Sequence, residues 1–449
     1  MLTGVYFVKK AVVAVSKSAP NETIISGDLS CKVIDQLASL VDEILVPILS
    51  NSSNHDLWPT VIAKDIQKHV HSLKNTVYQV KGQVNGQTVL PMPVGVEKIQ
   101  EAEKVLKESH GEICDLYLKS AIEGVVIKWA SLINDVLVND SAEKVGNVVN
   151  PVPSYELEFW TLRLKNLWYI YDQLKESKVR SMASILEITN SAYFSCFKNQ
   201  FKNVVIALAE AKEINLYYKP LEVHLTTFEE TDFSECIPLL EPLMVVLGLI
   251  WANCKYCDQS RIIILLKQIC NLLILEGKKF LDPTTLFHSD IDEAMQRVRL
   301  CIETLKHFLK SFHRCKRNLH QFFRDREPQP WNFHPDMVFG RFNAFLERLS
   351  TIEWFFNTVL EFNKLEKIEI GGVKGRSLSS RLAEVYVEFQ HSFSIFSGKS
   401  YDVLDPDDPA FLDDFETFKQ NIFEMDMKLS AILCQAIEDC NNLDSIFKV

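Results

Sequence analysis

Glycine and proline are both scarce in this chain. Its 449 residues include 15 glycines and 16 prolines, and the glycine share is near half the usual value of roughly 7%. Few breakers favour long helices over many short strands, and they count against a nucleotide-binding fold built on glycine loops. A basic surplus is also missing: 48 lysines and arginines face 59 acids, a net charge of −11. Nucleic-acid binders carry the opposite balance, so no nucleic-acid partner is expected. The longest apolar run, Leu243–Ala252, falls well short of the about 20 residues of a membrane span. It reads as a buried helix, and no membrane partner is expected. With 47% hydrophobic and 24% charged residues, the composition is that of a folded chain and excludes general disorder.

Enzymatic signatures are absent as well. No G-x-S-x-G, H-E-x-x-H or G-x-G-x-x-G pattern occurs. A phosphate loop needs glycines that let backbone N–H groups wrap the phosphates, followed by Gly-Lys-Ser/Thr. Gly398-Lys399-Ser400 supplies that ending, but Phe393 stands where the first glycine should be, and Ile395 and Phe396 fill the cradle. Gly371-Gly372-Val373-Lys374-Gly375-Arg376-Ser377 is one residue short and has arginine in place of the lysine. Both stretches read as turns between helices with glycine caps. The eleven cysteines are odd in number and irregularly spaced, and Leu2–Val15 carries Lys9 and Lys10 where a signal peptide would be apolar. The expected setting is intracellular with reduced thiols, and Asn21, Asn51 and Asn139 are then unused glycosylation patterns. Cys254 and Cys257 form a C-x-x-C without a companion pair, and they read as two cysteines borne on helices. His307, His313, Cys315 and His320 share one expected helix, with Cys315 on its apolar side. No catalytic, cofactor-binding or metal-ligating residue is assigned, and no cofactor is expected.

The positive signal is periodicity. Leu157, Trp160, Leu164, Leu167, Tyr171 and Leu174 step alternately by three and four. So do Val298, Cys301, Leu305, Phe308, Phe312, Cys315, Leu319 and Phe322, and then Val338, Phe342, Phe345, Leu349, Ile352, Phe356 and Val359. Phe415, Phe418, Ile422, Met425, Leu429, Ile432 and Ala436 repeat the pattern. Such stripes line helices packed at shallow angles, and proline clusters interrupt them. The linkers are expected at Asn139–Ser154, Tyr218–Pro242, Glu276–Asp290, Arg326–Pro335 and Ser397–Pro409. The fold expected is mainly α, with consecutive antiparallel bundles strung into a rod.

The first 95 residues have a different texture. Val5–Val15 and Thr76–Leu90 resemble strands, and Asn85-Gly86 lies between valines in the pattern of a type I′ hairpin. Helices are expected near Ser30–Leu49 and Trp58–Lys74. The organisation expected is a small mixed α/β unit over 1–95, a helical connector over 96–154 and helical bundles over 155–449.

Two charged patches stand out. Lys310, Arg314, Lys316, Arg317, Arg324 and Arg326 crowd the end of one stripe. Cations at a helix C-terminus complement the macrodipole; the functional alternative is a landing face for an acidic partner such as tubulin. Asp402, Asp405, Asp407, Asp408, Asp413, Asp414 and Glu416 form the opposite patch. Capping and solubility account for them, since they lack the spacing of a calcium loop.

Several stretches go beyond generic helix. Glu156, Phe159, Trp160, Arg163, Asn166, Leu167, Ile170, Gln173 and Leu174 occur in an order that resembles the dynein heavy chain tail. Trp331, Val338, Phe339, Arg341, Phe345 and Arg348 continue it, as do the run from Glu361 to Gly375 and Cys434–Cys440 through Phe447 and Lys448. Gly4–Lys10 and His71–Thr76 resemble the axonemal class, nearest its outer-arm β-like members. The resemblance covers essentially the whole chain. It implies a tail fragment of a much longer protein, in which motor ring, ATP sites and microtubule-binding stalk lie elsewhere. It further implies a non-catalytic segment that serves assembly and attachment in a minus-end-directed, ATP-driven motor for cilium movement. Its implied partners are another dynein heavy chain, intermediate chains with β-propellers, light chains and a docking site on a doublet microtubule, in the cytoskeleton of the cilium axoneme. The alternative reading is an independent helical-rod adaptor or tether.

Overall fold

The computed structural model describes residues 6–10, 22–26, 32–54, 58–84, 86–93, 95–138, 149–324, 327–368 and 372–438. Almost all of them are helical. The strands among them are β1 (Tyr6–Lys10) and β2 (Glu22–Ser26), antiparallel with Phe7 opposite Ile25 and Lys9 opposite Thr23. The helices that follow are α1 (Lys32–Leu40), a π-helical turn (Val41–Leu45), α2 (Val46–Leu49), α3 (Thr60–Val84), α4 (Ile99–Glu108) and α5 (Leu116–Val138). After them come α6 (Pro153–Lys175), α7 (Ser177–Ile188), α8 (Tyr193–Glu230), α9 (Ile237–Asn253) and α10 (Gln259–Leu281). The last are α11 (Ile291–Asn318), α12 (Asp336–Asn363), α13 (Gly372–Ser397) and α14 (Ala410–Glu438). The chain divides into two compact units, one of Met1–Asp140 with Trp160–Lys212 and one of Ser141–Phe159 with Glu213–Val449.

In the first unit the expected α/β unit with a hairpin at Asn85-Gly86 is not built. Thr76–Val84 belongs to α3, and Gly86 is the residue that ends it. Asn85 itself lies outside the described residues. Gly86 takes φ +67°, and the Gln87 N–H donates to the Gly82 carbonyl at 2.7 Å. That six-to-one bond, with glycine in the left-handed region, is a Schellman stop. The same φ > 0 preference that suits a type I′ turn suits a helix C-cap, so the dipeptide alone does not separate the two. Residues 87–93 do run without helix, but their hydrogen-bond partners are side chains. Asn166 and Gln173 of α6 accept from the N–H groups of Thr88 and Leu90, each at 2.7 Å. Gln173 Nε2 donates to the Thr88 carbonyl at 2.9 Å, and Trp129 Nε1 to the Pro91 carbonyl at 2.7 Å. The core of this unit gathers Ile99, Leu106, Ile122, Val126, Trp129, Ile133, Ile170, Met182, Leu186 and Val204 around that segment.

The second unit is a set of packed helices whose seams follow the stripes. Every stripe position from Val298 to Leu319 on α11, and from Val338 to Val359 on α12, is buried. Phenylalanines interlock there: Phe312 stacks on Trp331 at 5.4 Å and meets Phe339 edge-on at 4.7 Å. Phe355 contacts Phe396 and Phe418 at 4.7 and 4.8 Å, drawing α12, α13 and α14 together. Helix starts carry their caps: Asp258 accepts from the Arg261 N–H, and Asp290 from the N–H groups of Asp292 and Glu293.

The linker expected over Tyr218–Pro242 is largely helix. α8 continues through Pro220 to Glu230. An interior proline costs about 3 kcal/mol, but burial of Leu221, Leu225 and Phe228 beyond it contributes about 1.5–3 kcal/mol each. The break is confined to a short turn in which Asp232 accepts from the Ser234 N–H.

Candidate functional site

The structure disperses the enzymatic near-misses. Gly372 opens α13, while Gly371 and the side chains of Val373 and Lys374 lie outside the described residues. Gly398 follows α13, its N–H bonded to the Ser394 carbonyl at 3.1 Å. Lys399, which a phosphate loop would use, sits 3.0 Å from Asp414.

Cys254 and Cys257 are not on helices, contrary to the reading of the sequence. Cys254 caps α9 and Cys257 closes the turn before α10. Burial pushes both thiols up, which disfavours the thiolate that a ligand or nucleophile needs. The buried Tyr218 phenol is raised well above its ordinary value, by burial first and then by Cys257 and Glu156. Among the described residues, no group of three or more His, Cys, Asp or Glu is placed to hold a metal ion. Likewise, no helix among them is long and apolar enough to cross a membrane.

The histidines of α11 do not converge. His313 is exposed and lies edge-on to Phe312 at 5.4 Å, and His320 is exposed in the turn beyond. Cys315 is buried and donates to the Met244 carbonyl at 3.3 Å. Its thiol is pushed up to about 12 by burial.

One cleft escapes sequence reasoning. Between α10, α12 and the residues leading into α6, about 380 Å³ is lined by Asn150, Lys267, Gln268, Asn271 and Arg341. Gln268 is buried, and both atoms of its amide lack a hydrogen-bond partner. Asn271 donates to the Pro151 carbonyl at 2.9 Å, and Arg341 Nε to Asp407 at 2.8 Å. The Gln268 amide offers two donors and an acceptor oxygen, in a wall that also includes Ile264, Met337, Val338 and Phe342. The signal in the sequence was a glutamine among the isoleucines and leucines of α10.

The two charged patches have different fates. The acidic one is largely consumed inside the fold. Asp402 pairs with Lys278, Asp407 with Arg341 and Asp414 with Lys399, and Asp408 caps the Ala410 N–H at 2.9 Å. The basic one stays open. Arg314 meets Glu241 at 2.7 Å, Lys316 lies 5.8 Å over the Phe333 ring, and Lys310, Arg317 and Arg324 are exposed. Arg326 is outside the described residues.

The architecture is thus a pair of helical units with buried aromatic seams and surfaces of contrasting charge. Comparison with known sequences gives it a place: residues 119–449 match the family model "Dynein heavy chain, N-terminal region 1". This chain belongs to the dynein heavy chain family. It is 42% identical over 447 residues to the ciliary dynein beta chain of Tripneustes gratilla, covering 99% of this chain and 10% of that one. Against dynein axonemal heavy chain 9 of Homo sapiens the identity is 37% over 428 residues, 95% of this chain and 10% of the relative. Against the flagellar outer arm dynein beta chain of Chlamydomonas reinhardtii it is 30% over 450 residues, with shares of 99% and 10%. The chain therefore spans about a tenth of the length of the dyneins it matches, and it corresponds to their N-terminal tail region. These dyneins are ciliary, axonemal and flagellar by name, and the localisation that follows is the cilium axoneme, part of the cytoskeleton.

Proposed function

We propose that this chain is the non-catalytic tail segment of an axonemal dynein heavy chain, working in subunit assembly and attachment. The observation that carries the reading is the match of residues 119–449 to the N-terminal region of that family. The chain's exposed helical faces recruit partners. The partners are a second heavy chain, intermediate and light chains, and a docking site on the doublet microtubule. The motor it serves is minus-end-directed and ATP-driven, and this segment transmits force without producing it. The segment needs no cofactor, in line with a lysine at 399 already paired to Asp414.

The test is co-purification of the folded chain with an axonemal intermediate chain, with and without ATP, beside a measurement of phosphate release. Stable association indifferent to nucleotide, with no turnover, is expected. Failure to associate when both proteins are folded, or turnover by the pure chain, overturns the reading.

A further inference from the structure

The outward face of α11 and of the turn after it carries a single file of basic residues. Lys306, Lys310, His313, Arg317 and His320 step by four, three, four and three, all are exposed, and Arg324 follows. They lie away from the buried stripe of Leu305, Phe308, Phe312, Cys315 and Leu319 on the same helix. From Thr304 to Arg324 the sequence holds no Asp or Glu, in a chain whose net charge is −11. Among the described ion pairs of this stretch, Arg314 alone is matched, by Glu241. The macrodipole favours cations only within the last turn or so. It accounts for Lys316 and Arg317, close to the end at Asn318, but not for Lys306 and Lys310, two to three turns earlier.

Two further features narrow the partner. No large hydrophobic residue is exposed between Leu275 and Met337 among the described residues. A surface helix that enters a bilayer presents apolar side chains beside its cations, and this one presents none. A tightly docked folded partner needs a desolvated apolar centre; α11 itself offers none, and the exposed Val245 and Leu249 belong to the neighbouring α9. What remains is charge alone on a convex ridge. From Lys306 to Arg317 it runs about 16 Å at 1.5 Å per residue. Its steps of three and four residues rise about 4.5–6 Å each, shorter than the about 6.8 Å same-side repeat of an extended chain, so flexible lysine and arginine stems take up the difference.

We propose that the Lys306–Arg324 face, formed by α11 and the turn beyond it, binds an extended, glutamate-rich polypeptide segment through charge. The interface names a face and a chemistry, and it stands whether or not the chain is built into a motor.

The test uses the full 449-residue chain and a fluorescent peptide of twenty glutamates, followed by anisotropy across a sodium chloride series. One variant carries Lys306→Glu, Lys310→Glu and Arg317→Glu. A second carries Lys165→Glu, Lys198→Glu and Lys202→Glu, exposed lysines of the first unit, so both have the same net charge. Circular dichroism verifies that each is folded. Wild type should bind at low salt and weaken as salt rises. The α11 variant should bind at least about ten-fold more weakly, and the other within about two-fold of wild type. No binding by wild type, or equal loss in both variants, overturns the proposal. Tighter binding to phosphatidylserine vesicles or to a single-stranded oligonucleotide than to the peptide overturns the choice of partner.

Discussion

The guanidinium of Arg348 lies 4.1 Å over the ring of Phe411. From there its two terminal nitrogens donate to the carbonyls of Val403 and Asp408, at 3.1 and 2.8 Å. Arg348 is only 3% exposed. Burial pulls its pKa down, while Asp408 and Asp405 oppose that pull. One side chain of α12 therefore fastens the loop before α14 and the first turn of α14 together. Arg348→Met should cost about 3 kcal/mol, because two buried carbonyls lose their donors. Arg348→Lys should recover less than half, since an ammonium lacks the planar fork. Urea unfolding of both variants measures this, and wild-type midpoints would show that the loop is held by other contacts.

Gly248 marks a close approach of α9 to Phe322. A Cβ there would come within 2.6 Å of the phenyl ring. Gly248→Ala gains helix propensity of about 1 kcal/mol but forces the ring to move, which costs about 1–3 kcal/mol. The expected net effect is a loss of stability. A melting temperature higher than wild type would mean that Phe322 has room to turn.

Thiol labelling should be graded. Cys434 is exposed and Cys114 and Cys196 are partly so, while Cys236, Cys254, Cys257, Cys270, Cys301 and Cys315 are buried. Desolvation pushes the buried six up. Among these nine, a native-state reagent, mapped by mass spectrometry, should mark Cys434 first and the buried six only after unfolding. Fast modification of Cys254 or Cys257 would show that the turn between α9 and α10 opens.

Acid should weaken the second unit through carboxylates at its turns and helix caps. Asp232 is held below its ordinary value by the Ser234 N–H and hydroxyl, and Asp282 by Thr284 and Thr285. Burial pushes Asp258 the other way, yet Ser260 and Arg261 outweigh it and bring it down too. A carboxylate depressed in the folded state stabilises fully above its unfolded value, here 3.8. That contribution falls as pH drops through the lower folded value. Urea midpoints should be flat near pH 6 and decline below about pH 4, and the triple Asn variant should decline less. Parallel curves would assign the acid lability to other carboxylates.

The stripes of α11 and α12 were legible because burial there is one-sided: from Val338 to Val359 each apolar residue of the pattern is inside. The same arithmetic was less informative for α6, where Leu164 is only partly covered and Glu156 is buried. Periodicity registers side-chain polarity, and Glu156, Gln268 and Arg348 are polar residues on inward faces. The burial of Arg348 depends on partners distant in sequence, Val403 and Asp408. Pro220 shows the limit of local signals, since a helix with enough buried surface on both sides continues through it. Of the surface, the basic run was visible as composition. Its division into one paired and several open cations required the position of Glu241.

The extended residues after α3 present a strand-like edge at Thr88 and Leu90, and Asn166 and Gln173 already occupy it. A free edge of that kind would be a template for the strand of another molecule. Two carboxamides on a helix act here as a blunt selvedge, taking the groups that a neighbouring strand would need. The Thr88 hydroxyl adds to the grip by accepting from Asn166 Nδ2 at 3.1 Å, and Leu90 is buried in the core. The extended segment is thereby kept from growing into a sheet.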